Sequence, residues 1–235
     1  MLTTIGFDAD DTLWQNETFF RLTQDRFTNL LADYADADAL HDQLIAAERR
    51  NLGHYGFGVK GFTLSMIETA IQVTDGRVPS LVIAEIMAAG REMLEHPIEL
   101  LPHAHAAVKA LAGSHRVVLI TKGDLLDQER KLAQSGLGDL FHAVEIVSDK
   151  TAKAYSAIFA RHGTGADQAL MVGNSLKSDV IPALAAGAHG VHIPHGLTWA
   201  LEYADAPEGQ DRFHLLNHLG ELPDLVEILR ATHNV

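Results

Sequence analysis

Thr3-Thr4-Ile5-Gly6-Phe7-Asp8-Ala9-Asp10-Asp11-Thr12-Leu13 decides how the chain is read. Its first half is short, β-branched and apolar and stops abruptly at acids, the pattern of a buried strand with polar residues at its carboxyl end. Asp8, Asp10 and Asp11 then crowd three carboxylates into four positions, where like charges repel. A divalent cation is the simplest compensation, and magnesium suits it, because that ion takes a few carboxylates together with water and phosphate oxygens. Taken alone, the run is also compatible with an acidic turn capping a helix, since Asp and Thr are common turn residues.

Outward from this stretch the same shape recurs. Val117 to Ile120 ends at Thr121-Lys122-Gly123-Asp124, Val144 to Val147 at Ser148-Asp149, Leu170 to Val172 at Gly173-Asn174-Ser175, and Gly190 to Ile193 at Pro194. Helical stretches lie between them, at His103 to Leu111, Asp127 to Gln134, Tyr155 to Arg161 and Asp179 to Ala186. Strands alternating with helices imply βαβ units and a mainly parallel sheet, whose ligands bind outside the carboxyl ends of the strands. The expected fold is therefore α/β, a three-layer Rossmann-like parallel sheet core. One region breaks the alternation: from Asn16 to His96 only helical periodicity is found, interrupted at the Gly-rich Gly53 to Gly61 and at Val78-Pro79-Ser80. Residues 1–15 and 97–235 are thus expected to form the core, with 16–96 an all-helical insert. The tail from Thr198 reads as surface loop plus a final helix, Leu222 to Ala231.

Composition narrows the function. The 235 residues are 47% hydrophobic, enough to bury a core rather than remain disordered. With no cysteine, thiol catalysis and Cys-ligated metals are excluded. The formal charge of −13 argues against a broad basic face for nucleic acid. No apolar run approaches the roughly 20 residues of a membrane helix, and the first residues have no basic region of a signal peptide, so a soluble cytoplasmic protein without membrane partners is expected.

Four polar clusters at strand ends, in this order, resemble the motifs of the haloacid dehalogenase superfamily of hydrolases, most of which are phosphatases. Asp8, Asp10 and Thr12 match the first motif, Thr121 the second, Lys153 the third, and Asn174 with Asp179 the fourth. The resemblance covers the sheet domain, and the helical insert looks like that superfamily's type-1 cap. It implies that Asp8 is a nucleophile forming an aspartyl-phosphate. Asp10 would be the general acid and then the base, with its backbone carbonyl facing the metal. Thr121 and Lys122 would bind substrate, and Lys153 would balance the charge of Asp8 and phosphate. Mg2+ would be held by Asp8, Asp10, Asn174 and Asp179. Lys153 is preferred over Lys150 because its spacing to Ile158-Phe159 resembles the family's Lys-to-Phe spacing; Lys150 reads as a solvated loop charge. The fourth motif departs from its usual Gly-Asp at Gly173-Asn174, and Asn offers a metal only a neutral oxygen.

The resemblance therefore implies a magnesium-dependent phosphatase acting on a small phosphorylated metabolite. Alternatives on the same fold are a 2-haloacid dehalogenase, disfavoured by Asp10, a phosphonate hydrolase, or a catalytically silent interaction protein. Lys60, in the glycine-rich loop Gly56 to Phe62, is a candidate for a negative group of the substrate. Trp14 is expected to pack, Asp11 to shape the turn, and Asp124 with Asp127 to cap a helix. None of the fourteen histidines has metal-site spacing, and His195 is the one placed to approach the site.

Overall fold

The computed structural model describes residues 2–232. Strands β1 (Thr4–Phe7), β2 (Arg116–Lys122), β3 (Ala143–Val147), β4 (Ala169–Gly173), β5 (His189–His192) and β6 (Phe213–Leu215) form one sheet in the order β3-β2-β1-β4-β5-β6. Every neighbouring pair is parallel. This is the expected three-layer α/β fold. β1 lies between β2 and β4, with Phe7 opposite both Leu119 and Val172, so the order reverses at the strand that leads into Asp8. The crevice at such a reversal is where open α/β sheets bind ligands.

Alternation along the strands builds both faces, because successive side chains point to opposite sides. Val117 and Leu119 join Ile5, Phe7, Leu170 and Val172 against helices α5 (Ala104–Ala112) and α9 (Leu222–Thr232). Val118, Ile120 and Met171 join Tyr155, Ile158 and Phe159 of α7 (Ala152–His162) on the other face. Gly6 belongs to that second face, where a Cβ would stand 2.8 Å from Ile120 and 2.9 Å from Met171; only glycine lets the flanking side chains close over β1.

By compactness the chain divides into two units. One comprises the sheet, through Gln15, Ile98–Lys122 and from Gln128 on; the other comprises Asn16–Pro97 and Gly123–Asp127. The second unit is helical: α1 (Glu17–Leu30), α2 (Ala37–Tyr55), α3 (Val59–Val73) and α4 (Ser80–Glu95) bury Phe27, Leu31, Leu40, Leu44, Phe62, Met66 and Ile86. Asp36 caps α2 by accepting from the Ala39 N–H at 2.9 Å. Gly90 on α4 lies against Thr63 on α3, and a Cβ there would come within 2.3 Å of its hydroxyl.

Two local readings differ from the structure. The stretch Asp179 to Ala186 is not one α-helix: a wide π-helical turn, Leu176–Val180, precedes the short α8 (Ile181–Ala185). β6 falls in the tail read as loop. Its three residues are too short to show periodicity, and its pairing to β5 supplies the stability its length lacks. None of the described helices is long and apolar enough to cross a membrane.

Candidate active site

The site is assembled from loops at the carboxyl ends of β1, β2, β3 and β4. β1 runs straight into Asp8, whose backbone N–H donates to Val172 at 2.9 Å and so extends the ladder by one residue. The chain then turns sharply. Asp11 takes φ +60°, and Thr12, Leu13 and Trp14 all direct N–H groups at the Ala9 carbonyl. Asp11 thus shapes the turn as expected, and its carboxylate lies 3.7 Å from His195 Nε2.

Asp8 is buried, and both of its oxygens are engaged. Thr12 Oγ1 donates to Oδ2 at 2.9 Å, and the Lys150 ammonium donates to Oδ1. Lys150 also donates to Asp179 Oδ1 at 2.6 Å, so one ammonium serves two buried carboxylates. Burial, followed by the charge of Asp179, outweighs Lys150 and pushes the Asp8 carboxyl up to about 7. Lys150 is held well above its ordinary value: burial opposes its charge, but the two carboxylates more than restore it.

Lys150, not Lys153, is therefore the lysine at Asp8. Thr151 caps α7 by accepting from the Ala154 N–H at 3.2 Å, so Lys150, one residue before the cap, still belongs to the strand-end loop. Lys153 lies inside the first turn of α7, opposite the buried face of Tyr155, Ile158 and Phe159, and is exposed. The cap supplies a signal that spacing alone did not: a Thr N-cap marks the start of the helix, leaving Lys150 in the loop and putting Lys153 on α7.

Asp10 is gripped by three donors. Trp14 Nε1 donates to Oδ1 at 2.7 Å, Lys131 Nζ to the same oxygen at 2.9 Å, and Gln128 Nε2 to Oδ2 at 2.7 Å. Burial alone would raise the Asp10 carboxyl, but the Lys131 charge and these hydrogen bonds carry it below its ordinary range. Trp14 is fully buried, as packing required, and binds Asp10 as well. Gln128 and Lys131 share a face of α6 (Leu125–Ser135) at i, i+3 spacing and are both buried, a combination unusual for such residues.

A convergence of oxygens lies beside Asp8. Oδ2 of Asp8, the backbone carbonyl of Asp10 and Oγ1 of Thr12 each stand 3.2–3.3 Å from one side-chain amide atom of Asn174. Thr12 has a single hydroxyl proton, given to Asp8, and its oxygen already accepts from the Asn174 N–H at 3.0 Å. With its nitrogen inward, the amide donates to all three oxygens. With its oxygen inward, four oxygens meet, an arrangement that a cation would reconcile. That donor set fits a small divalent ion, for which Asp8, the Asp10 carbonyl and Asn174 Oδ1 are the ligands on offer. Asp179, expected among them, is engaged elsewhere: Oδ1 accepts from Lys150 and Oδ2 from the Ser175 N–H at 3.0 Å. Gly173 permits this, since a Cβ there would stand 2.2 Å from Asp179 Oδ2.

Thr121 is buried at the end of β2, and its hydroxyl makes only a 3.5 Å approach to the Lys122 carbonyl. Lys122 donates to Glu202 Oε1 at 2.5 Å and to Ser178 Oγ at 2.7 Å. Glu202 had no signal in the sequence, since the tail that carries it has no periodicity. In the helical unit, Lys60 pairs with Asp124 at 2.9 Å, and Asp124 also accepts from the Asp127 N–H at 3.3 Å, the expected cap.

Solved structures place this arrangement among known folds. A haloacid dehalogenase-like family hydrolase from Xanthomonas campestris has a TM-score of 0.89 at 40% identity, over 98% of this chain and 93% of that one. An L-2-haloacid dehalogenase from Xanthobacter autotrophicus with chloropropionic acid covalently bound is 17% identical, with a TM-score of 0.67 over 97% of this chain and 99% of that one. A protein described as a predicted phosphoglycolate phosphatase from Haemophilus somnus is 16% identical, with a TM-score of 0.66 over 96% and 98%. No curated protein matches the chain. The family model for haloacid dehalogenase-like hydrolases matches residues 2–187, a span that begins before β1 and ends beyond α8. It takes in every loop that meets Asp8, and the chain belongs to that family of hydrolases.

Proposed function

We propose that this hydrolase cleaves a small phosphomonoester with magnesium, through an aspartyl-phosphate. The observation that carries this reading is Asp10, a carboxylate two residues beyond Asp8 and fixed by Trp14, Gln128 and Lys131. An ester oxygen must be protonated as it leaves, whereas a halide need not be, so a positioned acid serves the first departure and not the second.

In the proposed cycle an Asp8 oxygen attacks phosphorus and the ester P–O bond breaks, with Asp10 giving the leaving oxygen a proton. Asp10 then takes a proton from water as that water attacks phosphorus, the acyl-phosphate P–O bond breaks, and Asp8 and phosphate are released. Thr121 donates its hydroxyl to a phosphoryl oxygen. Lys150 holds Asp8 in line through the pair it makes with Asp179, and its fixed charge offsets that of the incoming phosphoryl group. Magnesium, held by Asp8, the Asp10 carbonyl and Asn174, would neutralise phosphoryl charge. The ordinary state of Asp10 in this structure is the carboxylate, so it must gain a proton as substrate enters.

A second reading, halide displacement from a 2-haloacid, draws on Asn174, whose amide can satisfy the oxygens around Asp8 without a cation. Phosphate release from a broad panel of phosphorylated metabolites, with magnesium and with EDTA, separates the two. Magnesium-dependent release abolished by Asp8→Asn supports the proposal; chloride release from 2-chloropropionate with no phosphate release from any ester refutes it.

A further inference from the structure

Glu202 lies on a short helical turn, Ala200–Glu202, within a long irregular segment after β5, yet its carboxylate is fully engaged. Lys122 donates to Oε1, while the Ser175 and Ser178 hydroxyls donate to Oε2 at 2.6 and 2.5 Å. Lys177 anchors the turn from below by donating to the Leu201 carbonyl at 2.6 Å. The position of the three donors is informative. Lys122 ends β2 directly after Thr121, and Ser175 and Ser178 follow β4 between Asn174 and Asp179. β2 and β4 are the two strands that flank β1. A carboxylate held from both therefore links the two loops that flank the one carrying Asp8, at the end of the sheet where the strand order reverses and where ligands bind in such folds.

One ammonium and two hydroxyls converging on a single anion form a recognition site for a carboxylate or phosphate group. Burial alone would raise the Glu202 carboxyl, but Lys122 and the hydroxyls bring it below its ordinary range, so the occupant is charged. We propose that Lys122, Ser175 and Ser178 form an anion subsite beside the nucleophile, that Glu202 fills it, and that Glu202 thereby selects against substrates carrying a second anionic group. The substrate-selection half of this inference rests on the phosphatase reading; the subsite itself does not. A substrate whose only anion is its phosphoryl group meets no repulsion from Glu202. One with an additional carboxylate reaches toward a lysine that is already neutralised and a carboxylate that repels it.

Two measurements test this. The first uses malonate as a non-hydrolysable probe, titrated by calorimetry into the native protein, Glu202→Gln, Glu202→Ala, and each combined with Lys122→Met. Glu202→Gln removes the charge at constant shape, and Glu202→Ala clears the subsite. Malonate binding at least tenfold tighter in either single variant, reversed by Lys122→Met, is the expected result. Unchanged affinity in both singles, whatever happens to their melting temperatures, overturns the proposal and leaves Glu202 a latch for its segment. The second compares kcat/KM for propyl phosphate and 3-carboxypropyl phosphate. Glu202→Gln is expected to shift the ratio at least tenfold toward the carboxylated ester, and an unchanged ratio overturns the selection. Absence of turnover with both esters would count against the phosphatase reading, while the malonate titration still decides the subsite.

Discussion

Replacing Lys150 with methionine removes the ammonium shared by Asp8 and Asp179 while keeping most of the side-chain volume. Both carboxylates are buried, at 6% and 1% exposure, so neither can turn to water for its lost partner. Breaking a buried ion pair by removing one member costs about 3–5 kcal/mol, and here one removal takes the shared partner from two buried carboxyl groups. Lys150→Met is therefore expected to lose at least about 3 kcal/mol at pH 7.5, read by urea unfolding. The loss should shrink with acidity. Asp8 stands at about 7 in the fold, above its unfolded value, so the folded protein binds that proton more readily and the group opposes folding increasingly as pH rises through that interval. Without Lys150 the opposition grows, and it vanishes once Asp8 is protonated. Asp179→Asn in the same background should recover part of the loss by removing one of the two like charges. Lys153→Met, on the exposed face of α7, should stay within about 0.5 kcal/mol. For phosphate release, the expected drop in kcat is at least about a hundredfold for Lys150→Met and negligible for Lys153→Met. An inactive Lys153→Met beside a stable, active Lys150→Met would refute the assignment.

Asn174→Asp should destabilise the metal-free protein by about 1–3 kcal/mol, because a donor facing three oxygens becomes a carboxylate facing them; magnesium should then raise its melting temperature more than that of the native protein, as thermal unfolding with and without the ion will show. Lys60→Ala, which breaks a largely exposed pair with Asp124, should change stability by less than about 1 kcal/mol, measured by urea unfolding. His189 Nδ1 and His214 Nε2 lie 3.0 Å apart, so one must accept, and burial holds His214 below its ordinary value. The unfolded chain therefore binds this proton more readily: stability is full above the ordinary histidine range and falls as pH drops through it toward the depressed folded value, and His214→Asn should flatten the dependence of melting temperature on pH. Gly173→Ala should displace Asp179 and abolish activity, seen as loss of phosphate release in a protein that retains its circular dichroism.

The sheet was legible because β1, β2 and β4 are largely apolar runs closed by polar residues, a pattern that comes directly from strands buried on both faces. The first-motif residues and Asp179 could be placed for the same reason, being fixed by strand ends. What escaped the sequence depended on direction rather than position. Lys150 and Lys153 differ by three residues, and the Thr151 cap separates them, leaving Lys150 in the strand-end loop and Lys153 on the helix. Asp179 could be expected near the site, but not that its two oxygens would be spent on Lys150 and Ser175 rather than on a metal. Gln128, Lys131 and Glu202 are polar residues that a single sequence places on surfaces; only the packing of α6 brings the first two to Asp10, and only the course of the segment after β5 brings Glu202 to Lys122 and the two serines. β6 depends on β5 as a template, and that is information held by another strand.

The place of β1 in the sheet also bears on how the protein is made. Thr4 pairs with Arg116 on one side and with Ala169 on the other. A ribosome adding roughly 5–20 residues per second delivers the second of these neighbours on the order of ten seconds after the first strand emerges. The helices from Glu17 to Glu95 have mainly local contacts and can collapse in that interval, because such contacts form fast. The apolar strand ahead of them cannot. Asp8 thus leaves the ribosome ahead of those helices and is set in place after them. Until β4 is synthesised, Ile5 and Phe7 remain an open edge for chaperones to protect or for aggregation to capture.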